Sequence, residues 1–169
     1  ERKRIEARRA HEGISGEWHS RDGDNVDRLV EAARLADVVV MSAGPFARNA
    51  PLGLAITGDV AIRAPAPVLA VPPGARGIDL AGTAVVAWDG SQEAGVALRA
   101  AMPMLARAGA VEILTVAEKT SDFTGRHAAA FLSRHGIGAE VLERPADGSV
   151  VDVIRAVLAE RQGAWLVQG

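Results

Sequence analysis

Four short apolar runs, separated by segments of helical character, constrain the fold of this chain more than any other feature. The runs are TAVVAW (83–88), VEILTV (111–116), GAEVLER (138–144) and AWLVQG (164–169). Helical patterns lie between them, from residue 91, within 120–135 and over 150–161. Strands that alternate with helices form a parallel sheet with helices on both faces, and such strands are rich in Val, Ile and Leu. The sequence therefore predicts an α/β fold.

The helix after residues 83–88 has a recognisable apolar face and a predicted break. Ser91 precedes the helix, and the residues that share one face at helical spacing are Ala94, Leu98, Ala101 and Leu105. Pro103 lies inside this pattern. Because a proline inside a helix removes a hydrogen bond and clashes with the preceding turn, we expect a kink there.

The first half of the chain repeats part of the same pattern. We predict helices over 1–12, 26–36 and 52–63, a weak strand over 14–20, and apolar strands over 37–42 and 66–71. The run DVVVMS at 37–42 contains three successive β-branched valines, which predicts a strand buried on both faces. Gly13-Ile14 matches Gly136-Ile137, and each copy continues through an apolar helix to an apolar strand.

This internal repeat predicts two tandem partial domains. Residues 72–82, PPGARGIDLAG, are rich in Pro and Gly, which is the composition of a linker region. Residues 1–73 would hold the C-terminal part of a first domain, 74–82 the linker, and 83–169 the N-terminal part of a second domain. The first copy lacks a strand–helix–strand before it, and the second stops after its last strand, so we expect missing chain to fill the gaps.

Composition limits the classes of partner and of site. The formal net charge is −2, which does not favour nucleic acid or an acidic membrane as a partner, and no apolar run approaches the ~20 residues that span a bilayer. There is no cysteine and no visible signal peptide, so we predict a cytoplasmic protein. The four histidines lack metal-ligand spacing and no serine has a nucleophile-elbow context, so we predict neither metal nor catalytic residues.

Two segments resemble the universal stress protein family. VVAWDGSQEAGVALRAAMPMLARAGAVEILTV, from Val85, resembles the opening of that domain. ADVVVMS, from Ala36, and ITGDVAIRAPAPVLAVPP are similar to its closing part. The resemblance implies a HUP/Rossmann-like, adenine nucleotide alpha hydrolase-like architecture, with a five-stranded parallel sheet in the order 3-2-1-4-5. Residues 83–88 would then be strand 1 and 164–168 strand 4, and residues 14–20 should not pair directly with 37–42.

The resemblance also implies an adenine-nucleotide site in one branch of the family. There, ATP binds at the carboxyl ends of the strands, on a Gly-x2-Gly-x9-Gly-Ser/Thr loop, with an Asp after strand 1 at the adenosine end. Asp89 matches that Asp, Ala87 and Trp88 flank it, and Val116 matches the end of strand 2. These four residues are the candidate contacts for ATP in the second domain. Two alternatives stay open: Asp89 as a turn residue bonded to its local backbone, and Trp88 as a core or rim residue.

The first domain departs from the glycine loop. Gly58 stands where the third glycine belongs, but Pro45 and Arg48 occupy the two leading positions and Asp59 replaces the hydroxyl residue. A proline supplies no N–H to a phosphate, and a carboxylate repels it. We therefore expect ATP only in the second domain. Because the loop of that domain would start at Gly169, we expect these 169 residues alone to bind ATP weakly or not at all.

The leading hypothesis is a stress-response regulatory protein that senses adenine nucleotide and is not an enzyme beyond weak ATPase activity. One alternative is a tandem interaction module that binds no nucleotide. Another is an adenine-nucleotide hydrolase-like enzyme, which would need S-G-G-x-D where residues 89–93 read DGSQE. The run APVLAV at 66–71 predicts an edge strand, which favours a homodimer or a tandem pseudo-dimer.

Overall fold

The computed structural model describes residues 2–43, 52–75, 77–117, 122–161 and 163–169. Its first half contains α1 (Arg2–Glu12), α2 (Asn25–Ala32), a short 3-10 helix (Ala33–Leu35), β1 (Val39–Ser42), α3 (Leu52–Arg63) and β2 (Val68–Val71). Its second half contains β3 (Thr83–Ala87), α4 (Gln92–Ala100), α5 (Met102–Leu105), β4 (Ala110–Ala117), α6 (Gly125–Arg134), β5 (Glu140–Pro145), α7 (Val150–Ala159) and β6 (Trp165–Val167). None of these described helices is both long enough and apolar enough to span a bilayer.

The second half forms a four-stranded sheet in the order β5-β4-β3-β6. Every neighbouring pair is parallel, and Val85 stands opposite Glu112 of β4 on one side and Leu166 of β6 on the other. With β3 as strand 1, this is the predicted order 3-2-1-4, which is confirmed.

Side chains of β3 alternate between two apolar layers because successive residues of a strand point to opposite faces. Ala84, Val86 and Trp88 pack in a cluster with residues of α4, α5 and α6. Val85 packs on the other face with Leu114 and with residues of α7. The sheet is therefore covered on both faces, as its uninterrupted apolar runs predict.

The predicted kink at Pro103 is confirmed as a complete break. Helix α4 ends at Ala100, and α5 restarts at Met102 with the proline in its first turn. A proline is tolerated there because the first N–H groups of a helix have no partner within the helix. Leu105 stays fully buried across the break, so the two helices continue one apolar face.

Strands β1 and β2 form a separate two-stranded parallel sheet, with Val39 opposite Val68. Val26, Met41 and Val60 bury one face of it against α2 and α3. The other face is open at Val40, which is 61% exposed. The prediction that residues 37–42 are buried on both faces is therefore wrong, because no element among the described residues covers this second face.

The internal repeat shows what such a face is like when it is covered. Strand β6 follows α7 as β1 follows α2, and Leu166 packs on its α7 as Val39 packs on its α2. The next residue along each strand is Val167 in β6 and Val40 in β1, and Val167 is only 8% exposed because α4 packs over it. The same sequence pattern is thus buried in one copy and open in the other.

The predicted strand over 14–20 is wrong, since this segment has no regular structure. A strand needs a neighbour for its backbone N–H and C=O groups. In the order 3-2-1-4-5, strand 3 pairs with strand 2, and the described residues of the first copy include no strand 2. As expected, no strand pairing joins 14–20 to 37–42 among the described residues, where β1 pairs with β2. The domain limits 1–73, 74–82 and 83–169 stay predictions.

Candidate functional site

The candidate residues lie at the carboxyl edge of the four-stranded sheet. Strand β3 ends at Ala87, which stands opposite Leu114 of β4, and Val86 stands opposite Val167 of β6. The chain then runs through Trp88 and Asp89 into a turn that Gly90 closes in the left-handed region, with φ 80°. Strand β3 therefore leads into α4 at the edge where β4 and β6 also end.

This edge contains the point where the strand order reverses. From β3 the chain goes to β4 and β5 on one side, and β6 returns to the other side of β3. In open parallel sheets, ligands bind in the crevice outside the carboxyl ends of the strands at such a reversal. Asp89 follows β3 and Gly169 follows β6, so the two residues flank this crevice.

Asp89 organises the turn and keeps an exposed carboxylate. The backbone N–H of Ser91 donates to its Oδ1 at 2.9 Å. Hydrogen bonds from Ser91, first from the hydroxyl and then from the backbone N–H, lower the pKa of the Asp89 carboxyl. Ser91 also caps α4, because its Oγ accepts from the N–H of Ala94 at 3.1 Å. The local turn bonds that were one reading of Asp89 are therefore present.

The lowered pKa of Asp89 gives a pH prediction. The ionised form gains hydrogen bonds in the native state, so it stabilises the fold above the ordinary aspartate value of about 3.9, and this stabilisation is lost as the pH falls through the folded pKa. Ser91→Ala removes the hydroxyl and should raise the pKa of Asp89 toward the ordinary value, as measured by an NMR titration of the carboxyl carbon. Ser149 caps α7 in the same way. Ser149→Ala should therefore leave the Asp89 titration unchanged; an equal effect of both variants would contradict the assignment.

Trp88 is a buried residue of the sheet's edge. Its ring belongs to the apolar cluster under α4 and α6, and its backbone N–H donates to the carbonyl of Leu114 at 2.8 Å. The indole Nε1–H donates to the backbone carbonyl of Phe123 at 2.8 Å. The ring therefore lies in the core, and its polar group holds the segment that leads into α6.

The other two candidate residues share this edge. Ala87 is half-buried at the end of β3, and Val116 is half-buried one residue before the end of β4. Val116 packs on the α7 side of the sheet, with Val85 and Leu114, whereas Trp88 packs on the opposite side. The structure therefore brings the four candidates to one edge but places Trp88 and Val116 on opposite faces of the sheet.

Gly169 passes very close to the first turn of α4. A Cβ atom added to it would overlap the backbone of the Glu93–Ala94 peptide. Glycine is therefore the residue that fits where the chain leaves β6. The sequence indicated Gly169 only as the start of a loop and gave no sign of this contact.

Phe123 is a residue at this edge that the sequence analysis missed. It lies just before α6 and is joined to β3 by the Trp88 hydrogen bond. Because the acceptor is the backbone carbonyl of Phe123, no side-chain motif in the sequence predicts this hydrogen bond.

Only some of the loop residues predicted for the first domain are among the described residues. Gly58 and Asp59 lie exposed on α3. Pro45 and Arg48 lie outside the described residues. Two surface depressions among the described residues lie elsewhere, one beside α2 and Arg63 and the other near the amino end of β4. Among the described residues, no group of three or more His, Asp or Glu side chains could hold a metal ion.

A solved structure of another protein shares this architecture. A universal stress protein from Archaeoglobus fulgidus DSM 4304 aligns with a TM-score of 0.69 and 20% sequence identity, over 94% of this chain and 59% of that one. A protein from the universal stress protein family from Burkholderia pseudomallei aligns with a TM-score of 0.40 and 23% identity, over 48% of this chain and 76% of its own. No protein-family model matches the sequence, and no curated protein matches it significantly. This chain spans 59% of the length of the Archaeoglobus protein and has the universal stress protein fold.

Proposed function

We propose that the chain is part of a tandem universal stress protein with a regulatory role, and that it binds adenine nucleotide at the carboxyl edge of β3. The observation that carries this proposal is the position of Asp89. Its exposed carboxylate follows the central strand, beside the crevice where the strand order reverses. The shared fold and the resemblance of residues 85–116 to the opening of the family's domain support it further.

The charge of Asp89 decides which end of the nucleotide it faces. A carboxylate repels phosphate groups, so Asp89 belongs at the nucleoside end, where ribose hydroxyls or the amino group of the base can donate to it. Ala87 and Val116 would supply apolar contact beside it. The phosphates would extend toward Gly169, where the chain lies against the N-terminal turn of α4, the positive end of the helix dipole.

A pair of matched variants tests this role of Asp89. Asp89→Asn keeps an oxygen that can accept the N–H of Ser91 but removes the charge, and we expect adenosine and ATP affinity to fall about tenfold, as for loss of a charge-assisted hydrogen bond. Asp79 is the control, because it also accepts an N–H two residues on, from Ala81 at 3.0 Å, at the other end of β3. Asp79→Asn should leave the affinity unchanged. Calorimetric titration measures both, and equal affinities for native chain and Asp89→Asn would overturn the proposal.

We propose one nucleotide site, in the second half of the chain. Asp59 would repel phosphate near the α3 segment where the family carries a hydroxyl residue, which argues against a site in the first half. The turn sequence DGSQE after β3 also departs from S-G-G-x-D, which supports binding and regulation over dedicated catalysis. We also propose that the protein is cytoplasmic.

A second candidate function, a tandem interaction module without nucleotide, is favoured by the open face of the first sheet. Val38 and Val40 are exposed there, and β2 uses one edge to pair with β1. An apolar edge strand invites pairing with another strand. We propose that this sheet contributes to a homodimer or a pseudo-dimer, which sedimentation equilibrium over a range of concentrations can test: a concentration-independent monomer would argue against the homodimer.

A further inference from the structure

A histidine side chain caps the start of α6. The backbone N–H of Thr124, the N-cap residue, donates to Nδ1 of His127 at 3.1 Å, and Oγ1 of Thr124 lies 3.1 Å from the same nitrogen. In a capping box the residue at this third helical position is ordinarily Glu or Gln, whose side chain accepts the N-cap N–H. A ring nitrogen performs that role here, and it can accept a hydrogen bond only while it carries no proton.

This acceptor role makes the cap sensitive to pH. Histidine is the side chain whose unperturbed charge change lies between about pH 5 and 8, and both nitrogens of the imidazolium are donors. Protonated His127 can still donate to Oγ1 of Thr124, but the N–H of Thr124 then loses its acceptor. The new positive charge also lies in the first turn of α6, at the positive end of the helix dipole. Both effects weaken the cap.

The surroundings of His127 do not offset that loss. The other charged residues of this turn, Asp122 and Arg126, are exposed, and among the described residues the histidine that forms an ion pair is His19. Asp89 lies at the same edge of the sheet, and its lowered pKa keeps it ionised across this pH range. Helix α6 begins on strand side chains that do not titrate there, Ile113 and Thr115 of β4 and Val141 of β5.

The capped turn is joined to the candidate site through the residue before Thr124. The carbonyl of Phe123 accepts the indole N–H of Trp88 at 2.8 Å. Trp88 is buried and immediately precedes Asp89. Because the acceptor of this bond and the N-cap N–H belong to adjacent residues, a first turn that loosens at Thr124 also displaces the carbonyl that holds Trp88.

From this geometry we propose that His127 is a pH-sensitive cap whose protonation releases the first turn of α6 and weakens the Trp88–Phe123 hydrogen bond at the carboxyl edge of the sheet. This edge is ordered at neutral pH and loosened near pH 5. The consequence for the candidate site rests on the proposed function: a nucleoside bound beside Asp89 is held more weakly under acidic conditions.

An NMR pH titration of the 15N-labelled chain tests the cap without any nucleotide. Between about pH 8 and pH 5, the backbone amide of Thr124 and the indole N–H of Trp88 should shift with one midpoint, the same as that of the His127 ring. The indole N–H of Trp165, in β6, is the internal control and should not follow this midpoint.

Two matched variants assign the response to one histidine. Glutamine at this position also accepts the N-cap N–H and does not ionise, so His127→Gln should abolish the pH-dependent shifts at Thr124 and Trp88. His135→Gln is the control, because His135 lies beside Phe131 at the other end of α6, with ring centroids 4.8 Å apart. Shifts that persist in His127→Gln, or that disappear in His135→Gln, would overturn the proposal.

Adenosine binding separates the pH-sensitive cap from the proposed function. Adenosine has no group that titrates in this range, so we expect calorimetry to show an affinity about fivefold lower near pH 5.5 than near pH 7.5, the fold-change for loss of one cap. His127→Gln should bind equally at both. If the native chain binds no adenosine while the NMR shifts behave as expected, the proposed function fails and the cap stands. Equal adenosine affinity of the native chain at both pH values would overturn the regulation of the site.

Discussion

Val167→Asp is expected to destabilise the chain by about 4 kcal/mol or more, the range for a carboxylate buried without a partner. Val167 is buried in β6, under α4, and its neighbours are apolar. Val40 occupies the matching place in β1 and is exposed, so Val40→Asp should cost less than about 1 kcal/mol, as ordinary surface substitutions do. Urea denaturation of the two variants measures the difference.

A milder pair keeps this test readable if Val167→Asp does not fold. Val→Thr preserves the shape and adds one hydroxyl, which should cost about 1–3 kcal/mol at Val167 and little at Val40. Equal losses at the two positions would show that the face of β1 carrying Val40 is covered in solution. That result would contradict the conclusion that this face is buried in the second copy of the repeat and exposed in the first.

Leu132→Ala is expected to lower the free energy of unfolding by about 3 kcal/mol, within the range for a leucine removed from a packed core. Leu132 lies on α6 with no exposed surface and contacts the cluster between this helix and the sheet. The cost combines the lost apolar transfer with the cavity that remains. Such a loss is a large share of the stability of an ordinary domain, so the midpoint of urea unfolding should fall clearly.

The control for this substitution is Leu35→Ala. Leu35 ends the short 3-10 helix after α2 and is fully exposed. The same change of side chain should therefore alter stability by less than about 0.5 kcal/mol. A loss at Leu35 as large as at Leu132 would contradict the described packing of both residues.

The second half of the fold was predictable because its signals are local. Strand β3 spans Thr83–Ala87 where 83–88 was predicted, and β6 spans Trp165–Val167 within the predicted 164–169. Long apolar runs in alternation with helices permit few arrangements, and right-handed crossovers restrict them further. The family resemblance then supplied the strand order.

The two wrong predictions in the first half of the chain concern the neighbours of a segment. They do not concern its own propensity to form a strand. Of the strand predicted over 37–42, residues 39–42 do form a strand, yet burial of Val40 depends on whether another element covers it. Residues 14–20 have acceptable strand character but no neighbour with which to pair. A single sequence indicates whether a segment can form a strand, but it does not indicate which element pairs with that strand or covers it.

The candidate site was only partly predictable for a related reason. The position of Asp89 after a buried strand is visible in the sequence, and so is the turn that Gly90 permits. The burial of Trp88 could have been inferred from Val86, because both lie on the same face of β3. The position of Phe123 could not have been inferred. It depends on the hydrogen bond that the indole N–H of Trp88 donates to the main-chain carbonyl of Phe123, far along the chain.

The most direct test of nucleotide binding at the carboxyl edge is an NMR titration of the 15N-labelled chain with ATP, carried to concentrations high enough to detect weak binding. The largest changes in amide chemical shift should fall at the strand ends and the α4 turn, at Asp89, Ser91, Val116 and Gly169. Changes centred on Gly109, at the amino end of β4, or no changes at all, would contradict a nucleotide site at this edge of the sheet.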